Sequence, residues 1–389
     1  MNRIYLDNAA TSWPKPDAVY ASVDRYLRQN GAPAGRGQSH EAAEVSRQIA
    51  QLRTRIAELL GAPHAGQIVF TFNGTDSLNL AIRGIVRSGD HVITTQVEHN
   101  STLRPLRSLE QQGEVELTIV RCDDQGMIDV DDVRAQIKPN TALIALNHVS
   151  NVTGTIQPAQ AIGKLAREHD LVFLLDAAQS LGHMPVDLQQ INCDLLAAPG
   201  HKGLLGPLGT GILYVAERLV ERLAPLRLGG TGTKSELMTQ PESMPDKFEA
   251  GNHNVPGLLG LGAGVQYLNE RSIADLERHE RSLTKQLLDA LEATEGVRVQ
   301  GPSQLVDRLG VVSFQLGQHE PGELATLLEM SAGVQGRPGL HCAPLIHQAL
   351  GTADQGGTMR LSVGAFTTTN DVVAAIEGIR QLATMSLDF

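Results

Sequence analysis

The chain has 389 residues, of which 41% are hydrophobic and 19% are charged. This composition provides a sizeable core and excludes disordered and fibrous proteins. A formal net charge of -11, with no cluster of Lys and Arg, argues against nucleic acid and anionic membranes as partners. No apolar run reaches the roughly 18 residues that a membrane-spanning helix needs.

The three cysteines, Cys122, Cys193 and Cys342, are an odd and sparse set. Such a set argues against a disulfide framework and favours a reducing compartment. The N-terminal segment also lacks the basic and then apolar layout of a secretory signal. We therefore predict a cytoplasmic protein.

Predicted helices and strands alternate along most of the chain. Residues 41–60 repeat apolar side chains at steps of three and four, which predicts an amphipathic helix. Helix-like stretches also include 101–111 and 155–168. Short apolar runs predict strands at 67–72, 91–96, 116–121, 141–149, 170–176, 194–199 and 209–215. Near-continuous apolar strands between helices indicate an α/β fold with a mostly parallel sheet that is buried on both faces.

The pattern changes in the last third of the chain. A long charged helix at 274–295 precedes three apolar segments and a final helix near 370–384, which is typical of a smaller α+β unit. We therefore predict a large domain over 15–255 and a small domain over 256–389 that also includes residues 1–14.

Polar side chains lie at the carboxyl ends of four predicted strands. They are His99, Asn151, Asp176, Gln179, His201 and Lys202. In an open α/β sheet, ligands bind in the crevice outside the carboxyl ends of the strands. We therefore expect these six side chains to meet in one cleft.

Several of these residues suit one cofactor. Lys202 lies in the glycine-rich GHKGLLGPLGTG, and a desolvated lysine near other cations is an amine nucleophile that forms Schiff bases. Asp176 either caps a helix or pairs with a cationic ring nitrogen. Gly74, Thr75 and Asp76 stand at a predicted helix start, which suits a phosphate group or a simple cap. Together these parts predict a site for pyridoxal 5'-phosphate.

A series of motifs makes the resemblance specific. In chain order they are YLDNAAT (5–11), HN (99–100), NHVSNVTG (147–154), DAAQS (176–180), GHKGLLGPLGTGILY (200–214), FEAG (248–251) and RPGLHCAP (337–344). The series resembles that of the cysteine desulfurases of the NifS/SufS type, within the class-V aminotransferases. The short cysteine segment R-x-G-x-H-C-A resembles the SufS-like group II branch, which includes selenocysteine lyases. The resemblance implies the type I fold of pyridoxal-phosphate-dependent transferases.

The resemblance also implies roles for the matching residues. Lys202 would carry the cofactor covalently and move the Cα proton of the substrate. Asp176 would keep the pyridine nitrogen protonated. His99 would stack on the ring and assist proton transfers, while Gln179 and Asn151 would contact the ring oxygen.

The remaining roles concern the phosphate and the substrate. The phosphate would lie against Gly74, Thr75, the backbone near Asp76, and His201. Arg360, with Asn151, would bind the substrate carboxylate, a task that suits its two-pronged guanidinium. On its own, Arg360 fits a structural ion pair equally well. No metal site is predicted.

Cys342 is the predicted sulfur nucleophile. A lone cysteine is usually a small buried hydrophobe, an interpretation that fits Cys122 and Cys193. Cys342 instead lies in the segment 337–344, built like a loop, with Arg337 close by in sequence. Cationic neighbours stabilise a thiolate, and a loop permits exposure.

Two positions depart from the family pattern. Pro199 stands where the family usually has Ser or Thr, which removes a hydroxyl near the phosphate. Asn252 replaces the Thr that in relatives reaches the cofactor phosphate of the other subunit. It lies in the polar segment 227–256, a predicted long loop that is either functional or packed against a partner.

The resemblance predicts a homodimeric cysteine desulfurase that converts L-cysteine to L-alanine, forms a persulfide on Cys342 and passes sulfur to an acceptor protein, for example in iron–sulfur cluster assembly. Selenocysteine lyase activity would use the same site. A C–S β-lyase would release pyruvate and need no protein thiol. A transaminase has no use for Cys342. A non-enzymatic scaffold is disfavoured by the complete set of Lys202, Asp176, His99 and Arg360.

Overall fold

The computed structural model describes residues 3–35, 37 and 39–386. Its α-helices are α1 (Asp17–Arg25), α2 (His40–Leu60), α3 (Gly74–Ile85), α4 (Asn100–Gln111), α5 (Val130–Ala135), α6 (Ala159–Glu168), α7 (Leu188–Ile191), α8 (Val255–Arg271), α9 (Ile273–Glu292), α10 (Pro321–Ala332), α11 (Pro344–Ala349) and α12 (Thr369–Ser386). Its strands are β1 (Ile4–Tyr5), β2 (Ile68–Thr71), β3 (Asp90–Thr95), β4 (Val115–Val120), β5 (Thr141–Asn147), β6 (Val172–Asp176), β7 (Leu195–Pro199), β8 (Gly211–Val215), β9 (Val297–Gln300), β10 (Val311–Leu316), β11 (Val334–Gln335), β12 (Arg337–Gly339) and β13 (Thr358–Ser362).

The central sheet has seven strands in the order β2-β8-β7-β6-β5-β3-β4. In this sheet β8 alone runs in the opposite direction to the other six strands, and it pairs antiparallel with both β2 and β7. Alternate residues of β6 enter different apolar clusters, with Phe173 and Leu175 on one face and Val172 and Leu174 on the other. The predicted α/β fold, with a mostly parallel sheet buried on both faces, is confirmed.

The C-terminal part contains a four-stranded antiparallel sheet in the order β12-β13-β10-β9. An apolar cluster with residues from α9, α10 and α12 covers it. The start of the chain joins this part, because β1 pairs with β11 and Asp7 forms an isolated bridge with Ser362. Arg360 on β13 and the cysteine segment are therefore held by this sheet and by the first residues of the chain.

Two predicted elements differ from the structure, and the predicted long loop is present. The prediction of a loop over 337–344 is wrong for its first three residues, because 337–339 form β12 by pairing with β13. The predicted helix 155–168 begins only at Ala159, since Thr155 and Ile156 form isolated β-bridges. The polar segment 227–256 has no helix or strand until α8 begins at Val255, as predicted. Among the described residues, no helix combines the length and the apolarity needed to span a bilayer.

Candidate active site

A cleft opens where the central sheet meets the C-terminal part. It encloses about 780 Å³ of space, part of it open to solvent. The predicted residues that line it are Gly74, Thr75, His99, Asn151, Asp176, Gln179, His201, Lys202, Cys342 and Arg360. The sheet topology explains this meeting, because the parallel strands present their carboxyl ends at one edge.

Tight backbone packing holds Lys202 in this cleft. A Cβ atom on Gly200 would lie 2.2 Å from Oγ1 of Thr210, and one on Gly203 would lie 2.3 Å from the carbonyl oxygen of Leu181. Only glycine fits these two positions, so the turn after β7 is fixed around the lysine. Burial lowers the pKa of Lys202 to about 8, against the opposing charge of Asp176. A lysine with such a pKa has a much larger fraction of free amine near neutral pH than an ordinary lysine has.

Asp176 ends β6 and is only 4% exposed. Its Oδ1 accepts the backbone N–H of Ala178 at 2.9 Å. Burial raises the pKa of Asp176, while the Ala178 N–H and the charge of Lys202 act in the opposite direction. A buried carboxyl of this kind pairs well with a protonated ring nitrogen.

His99 is the N-cap residue of α4. Its Nδ1 accepts the backbone N–H of Ser101 at 3.0 Å, so the proton of the neutral ring lies on Nε2. Burial, with the charge of Lys202, lowers the pKa of His99 to about 4. Oγ of Ser101 lies 2.9 Å from this Nδ1 and 2.7 Å from Oγ1 of Thr75. Sequence reasoning missed Ser101, although a hydroxyl two residues after a capping histidine is a usable signal.

The cleft fits a polar, anionic cofactor. Within the described residues, several buried atoms that belong to its lining residues have no hydrogen-bond partner: Oδ1 of Asn147, Oδ1 of Asn151, Nδ1 of His201, Nδ1 of His341 and Nε of Arg360. The N-terminus of α3 opens at Gly74, where a Cβ atom would lie 3.1 Å from Cδ of Pro199. Buried polar groups without partners, together with a helix N-terminus in the same cleft, suit a polar, anionic ligand.

Cys342 is exposed, unlike the other two cysteines. Two contacts tie its segment to the rest of the cleft. Its carbonyl oxygen accepts the backbone N–H of Asn100 at 2.7 Å, and Nδ2 of Asn151 donates to the carbonyl oxygen of His341 at 2.6 Å. His341 and Cys342 have φ angles of 50° and 59°, which lie in the left-handed region. The backbone here is therefore fixed while the thiol remains accessible.

Cys122 and Cys193 have the environment of structural thiols. Cys193 is 5% exposed within the main apolar cluster, and Cys122 packs against that cluster. Burial raises the pKa of Cys122 to about 11 and that of Cys193 well above its ordinary value. Both thiols are therefore protonated near neutral pH, as small hydrophobes are.

Arg360 is 1% exposed and forms an ion pair at the cleft. Its Nη2 donates to Oδ1 of Asp7 at 2.7 Å, and its Nη1 donates to the carbonyl oxygen of Asn151 at 3.0 Å. Arg337, on the neighbouring strand, has Nε 3.8 Å from Oδ2 of the same Asp7. The predicted structural ion pair of Arg360 is therefore present, and Arg360 also lines the cleft.

Glu98, which sequence reasoning missed, lies fully buried between the ends of β3 and β5. Its Oε1 accepts the hydroxyl of Thr95 at 2.7 Å and the backbone N–H of Asn147 at 2.9 Å. Burial raises the pKa of Glu98 to about 8. No sequence signal marks Glu98, because the hydrogen bond that holds its carboxyl comes from Asn147, which lies 49 residues further along the chain.

Two predicted cofactor residues lie outside the cleft lining of this single chain. The Asp76 carboxylate pairs with Arg227, and its backbone N–H donates to Oδ1 of Asn73. Asn252 lines a separate depression beside Phe70, because its segment folds over the outer edge of the sheet at β2. The role that the resemblance gives Asn252 requires a second subunit.

Comparison with known proteins identifies the family. Residues 4–374 match the family described as Aminotransferase class-V. A protein named probable cysteine desulfurase from Methanothermobacter thermautotrophicus is 34% identical over 388 residues, covering 99% of this chain and 96% of that protein. One of the same name from Pyrococcus abyssi is 34% identical over 389 residues, covering 97% and 94%.

Solved structures give the same result. The apo structure of a cysteine desulfurase from Thermococcus onnurineus NA1 has a TM-score of 0.93 at 33% identity, covering 98% of this chain and 95% of that one. The cysteine desulfurase CsdA from Escherichia coli, in its S-sulfonic acid form, has a TM-score of 0.88 at 30% identity, with coverages of 98% and 95%. The chain belongs to the class-V aminotransferase family and, within it, to the cysteine desulfurases.

Proposed function

We propose that the protein is a pyridoxal-phosphate-dependent cysteine desulfurase that converts L-cysteine to L-alanine and leaves a persulfide on Cys342. The observation that carries this proposal is the meeting of an exposed thiol, Cys342, and a buried lysine of lowered pKa, Lys202, in one cleft. Its relatives bear the name cysteine desulfurase, which supports the same activity.

The cofactor would be held by residues that line the cleft. Lys202 would bind it covalently, Asp176 would pair with the ring nitrogen, and His99 would stack on the ring. Thr75 and His201 would contact the phosphate at the start of α3. Bound pyridoxal phosphate acts as an electron sink for the bonds at the Cα of an amino acid. Lys202, whose pKa burial lowers to about 8, would then move the Cα proton of the substrate.

Sulfur transfer falls to the chain's own thiol. Sγ of Cys342 would form a bond to the substrate sulfur as the Cβ–S bond of the substrate breaks, and a proton would take the place of sulfur on Cβ. The products are L-alanine and the Cys342 persulfide, so the step needs no external oxidant. His99 is neutral near pH 7 because burial lowers its pKa to about 4, and its Nε2–H would donate a hydrogen bond without adding charge.

The wider arrangement is also a proposal. Residues 15–255 would form the large domain, and 1–14 with 256–389 the small one. A homodimer would bring Asn252 of one subunit to the phosphate site of the other. The exposure of Cys342 suits delivery of sulfur to an acceptor protein, in the cytoplasm.

Product analysis tests the proposal. The holoenzyme is incubated with L-cysteine and a reducing thiol, and the products are separated. L-alanine and sulfide in equal amounts are expected. Pyruvate and ammonia instead would establish the β-lyase alternative. The same assay with L-selenocysteine in place of L-cysteine measures selenocysteine lyase activity.

A further inference from the structure

Asp7 belongs to the first motif of the chain, YLDNAAT, and is not among the residues that would hold the cofactor or react with the substrate. We propose that Asp7 is a positioning residue, which holds the Arg360 guanidinium so that the substrate carboxylate meets its free Nε–H. This inference rests on the proposed function, because it takes the ligand of Arg360 to be an amino-acid carboxylate.

The hydrogen bonds of Arg360 carry the argument. Nη2 donates to Oδ1 of Asp7 at 2.7 Å, and Nη1 donates to the carbonyl oxygen of Asn151 at 3.0 Å. Nε is buried and has no partner within the described part of the chain. A guanidinium binds a carboxylate through two neighbouring N–H groups. The protein therefore fixes the two Nη atoms of a buried arginine that lines the cleft. It leaves the Nε–H and the second N–H of a neighbouring Nη for a ligand.

The backbone around Asp7 makes it a rigid support. Asp7 forms an isolated parallel bridge with Ser362, two residues after Arg360 on β13. The backbone N–H of Ser362 donates to the carbonyl oxygen of Leu6 at 2.7 Å, and Oγ of Ser362 accepts the backbone N–H of Ala9. A carboxylate fixed to the same strand as its guanidinium removes side-chain freedom before the substrate arrives, which saves that entropy on binding.

Charge supports the same assignment. Arg360 and Arg337 are paired residues on β13 and β12, so two guanidinium groups flank one position in the cleft. The two oxygens of Asp7 face both, at 2.7 Å from Arg360 and 3.8 Å from Arg337. Without this carboxylate, the buried Arg360 would keep one backbone oxygen as its partner beside another cation. Its guanidinium would then adopt several positions in the cleft.

A pair of ligands that differ by a carboxylate tests the proposal. L-alanine and ethylamine share the amine and the methyl group, and only L-alanine has the carboxylate. Each is titrated into holoenzyme while the visible absorption of the bound cofactor is followed. We expect Asp7→Ala to weaken L-alanine binding by about tenfold or more, the value of a charge-assisted hydrogen bond, with ethylamine binding within about twofold of wild type. Asp7→Asn, whose amide oxygen still accepts from Nη2, should lose less.

Controls keep the result specific. Asp24, which forms an exposed ion pair with Arg28 near the same end of the chain, provides the matched variant Asp24→Ala. Asp7→Asn in an Arg360→Ala background should add no further loss of L-alanine affinity. If Asp7→Ala does not fold, Asp7→Asn is compared with wild type instead. Weaker binding of L-alanine with unchanged binding of ethylamine would then support the proposal.

Two results would overturn the proposal. Equal weakening of L-alanine and ethylamine would mean that Asp7 only stabilises the fold, and tighter binding of L-alanine would mean that it competes with the ligand. Neither ligand contains sulfur, so this measurement is independent of whether the enzyme desulfurates L-cysteine. Failure of the proposed function would appear in the product analysis instead.

Discussion

The backbone N–H of Asn100 donates to the carbonyl oxygen of Cys342 at 2.7 Å. Asn100 is the first residue of α4, directly after the capping residue His99. The segment that carries the thiol is thus attached to the helix whose cap would stack on the cofactor. Together with the contact between Asn151 and His341, this bond ties the backbone of the cysteine segment to the cleft.

We predict a burst of product followed by slow turnover when L-cysteine is supplied alone. Cys342 is held at its backbone, so it presents the thiol to bound substrate but cannot swing far to deliver sulfur elsewhere. Rapid-quench measurement of alanine should give one fast equivalent per active site. A reducing thiol, or a protein with an exposed cysteine, should raise the later rate and leave the first equivalent unchanged. A linear time course that thiol does not affect would contradict this prediction.

We predict that Lys202→Ala abolishes the visible absorption band of the holoenzyme and turnover with it. Borohydride treatment of the wild type should attach the reduced cofactor to Lys202, as peptide mapping would detect. Burial lowers the pKa of Lys15, like that of Lys202, to about 8, so Lys15 is the strongest competitor for the label. Label on Lys15, Lys234 or Lys247 would refute the assignment. Lys164→Ala, on the exposed side of α6, is the control.

Cys342→Ala should keep the absorption band and bind L-cysteine, yet produce alanine roughly a thousandfold more slowly or not at all, because the sulfur nucleophile is gone. Cys193→Ala is the matched control and should lose only packing energy, since its thiol is buried and protonated. Alanine formation by Cys342→Ala at the wild-type rate would exclude the proposed sulfur transfer and favour the β-lyase.

Glu98→Gln should change the pH dependence of stability. Burial raises the pKa of Glu98 from 4.5 to about 8, so between these values the folded protein keeps a proton that the unfolded chain releases. The free energy of unfolding of the wild type therefore falls as pH rises through this range, by roughly 1.4 kcal/mol per pH unit at most. Gln cannot ionise, so the stability of the variant relative to wild type should rise from about pH 5 to pH 8 and then level off.

Thermal unfolding of the two holoenzymes across this pH range measures the difference. Glu58→Gln, on the exposed face of α2, is the control for the change in net charge. A constant difference between Glu98→Gln and wild type at every pH would contradict the prediction.

The sequence predicts what is local and leaves out what depends on distant contacts. Lys202 follows an apolar strand and Asp176 ends one, so the periodicity and the motifs locate both. Asp7 and Glu98 stand in quoted or neighbouring motifs, but their partners lie 353 and 49 residues away along the chain, and only the folded sheet order brings them together. Asn252 depends on a contact with a second subunit, which one folded chain does not contain.

The left-handed backbone conformation at Cys342 lowers thermal stability at the position that carries the reactive thiol. A residue with a Cβ atom loses on the order of 1 kcal/mol in this conformation, and glycine does not. Cys342→Gly should therefore unfold at a higher temperature than Cys342→Ala, although neither variant could transfer sulfur. Calorimetry of the two variants measures the loss in stability that a side chain causes in this backbone conformation. A laboratory selection for thermostability alone should accordingly replace this cysteine with glycine, whereas any selection that demands sulfur should retain it.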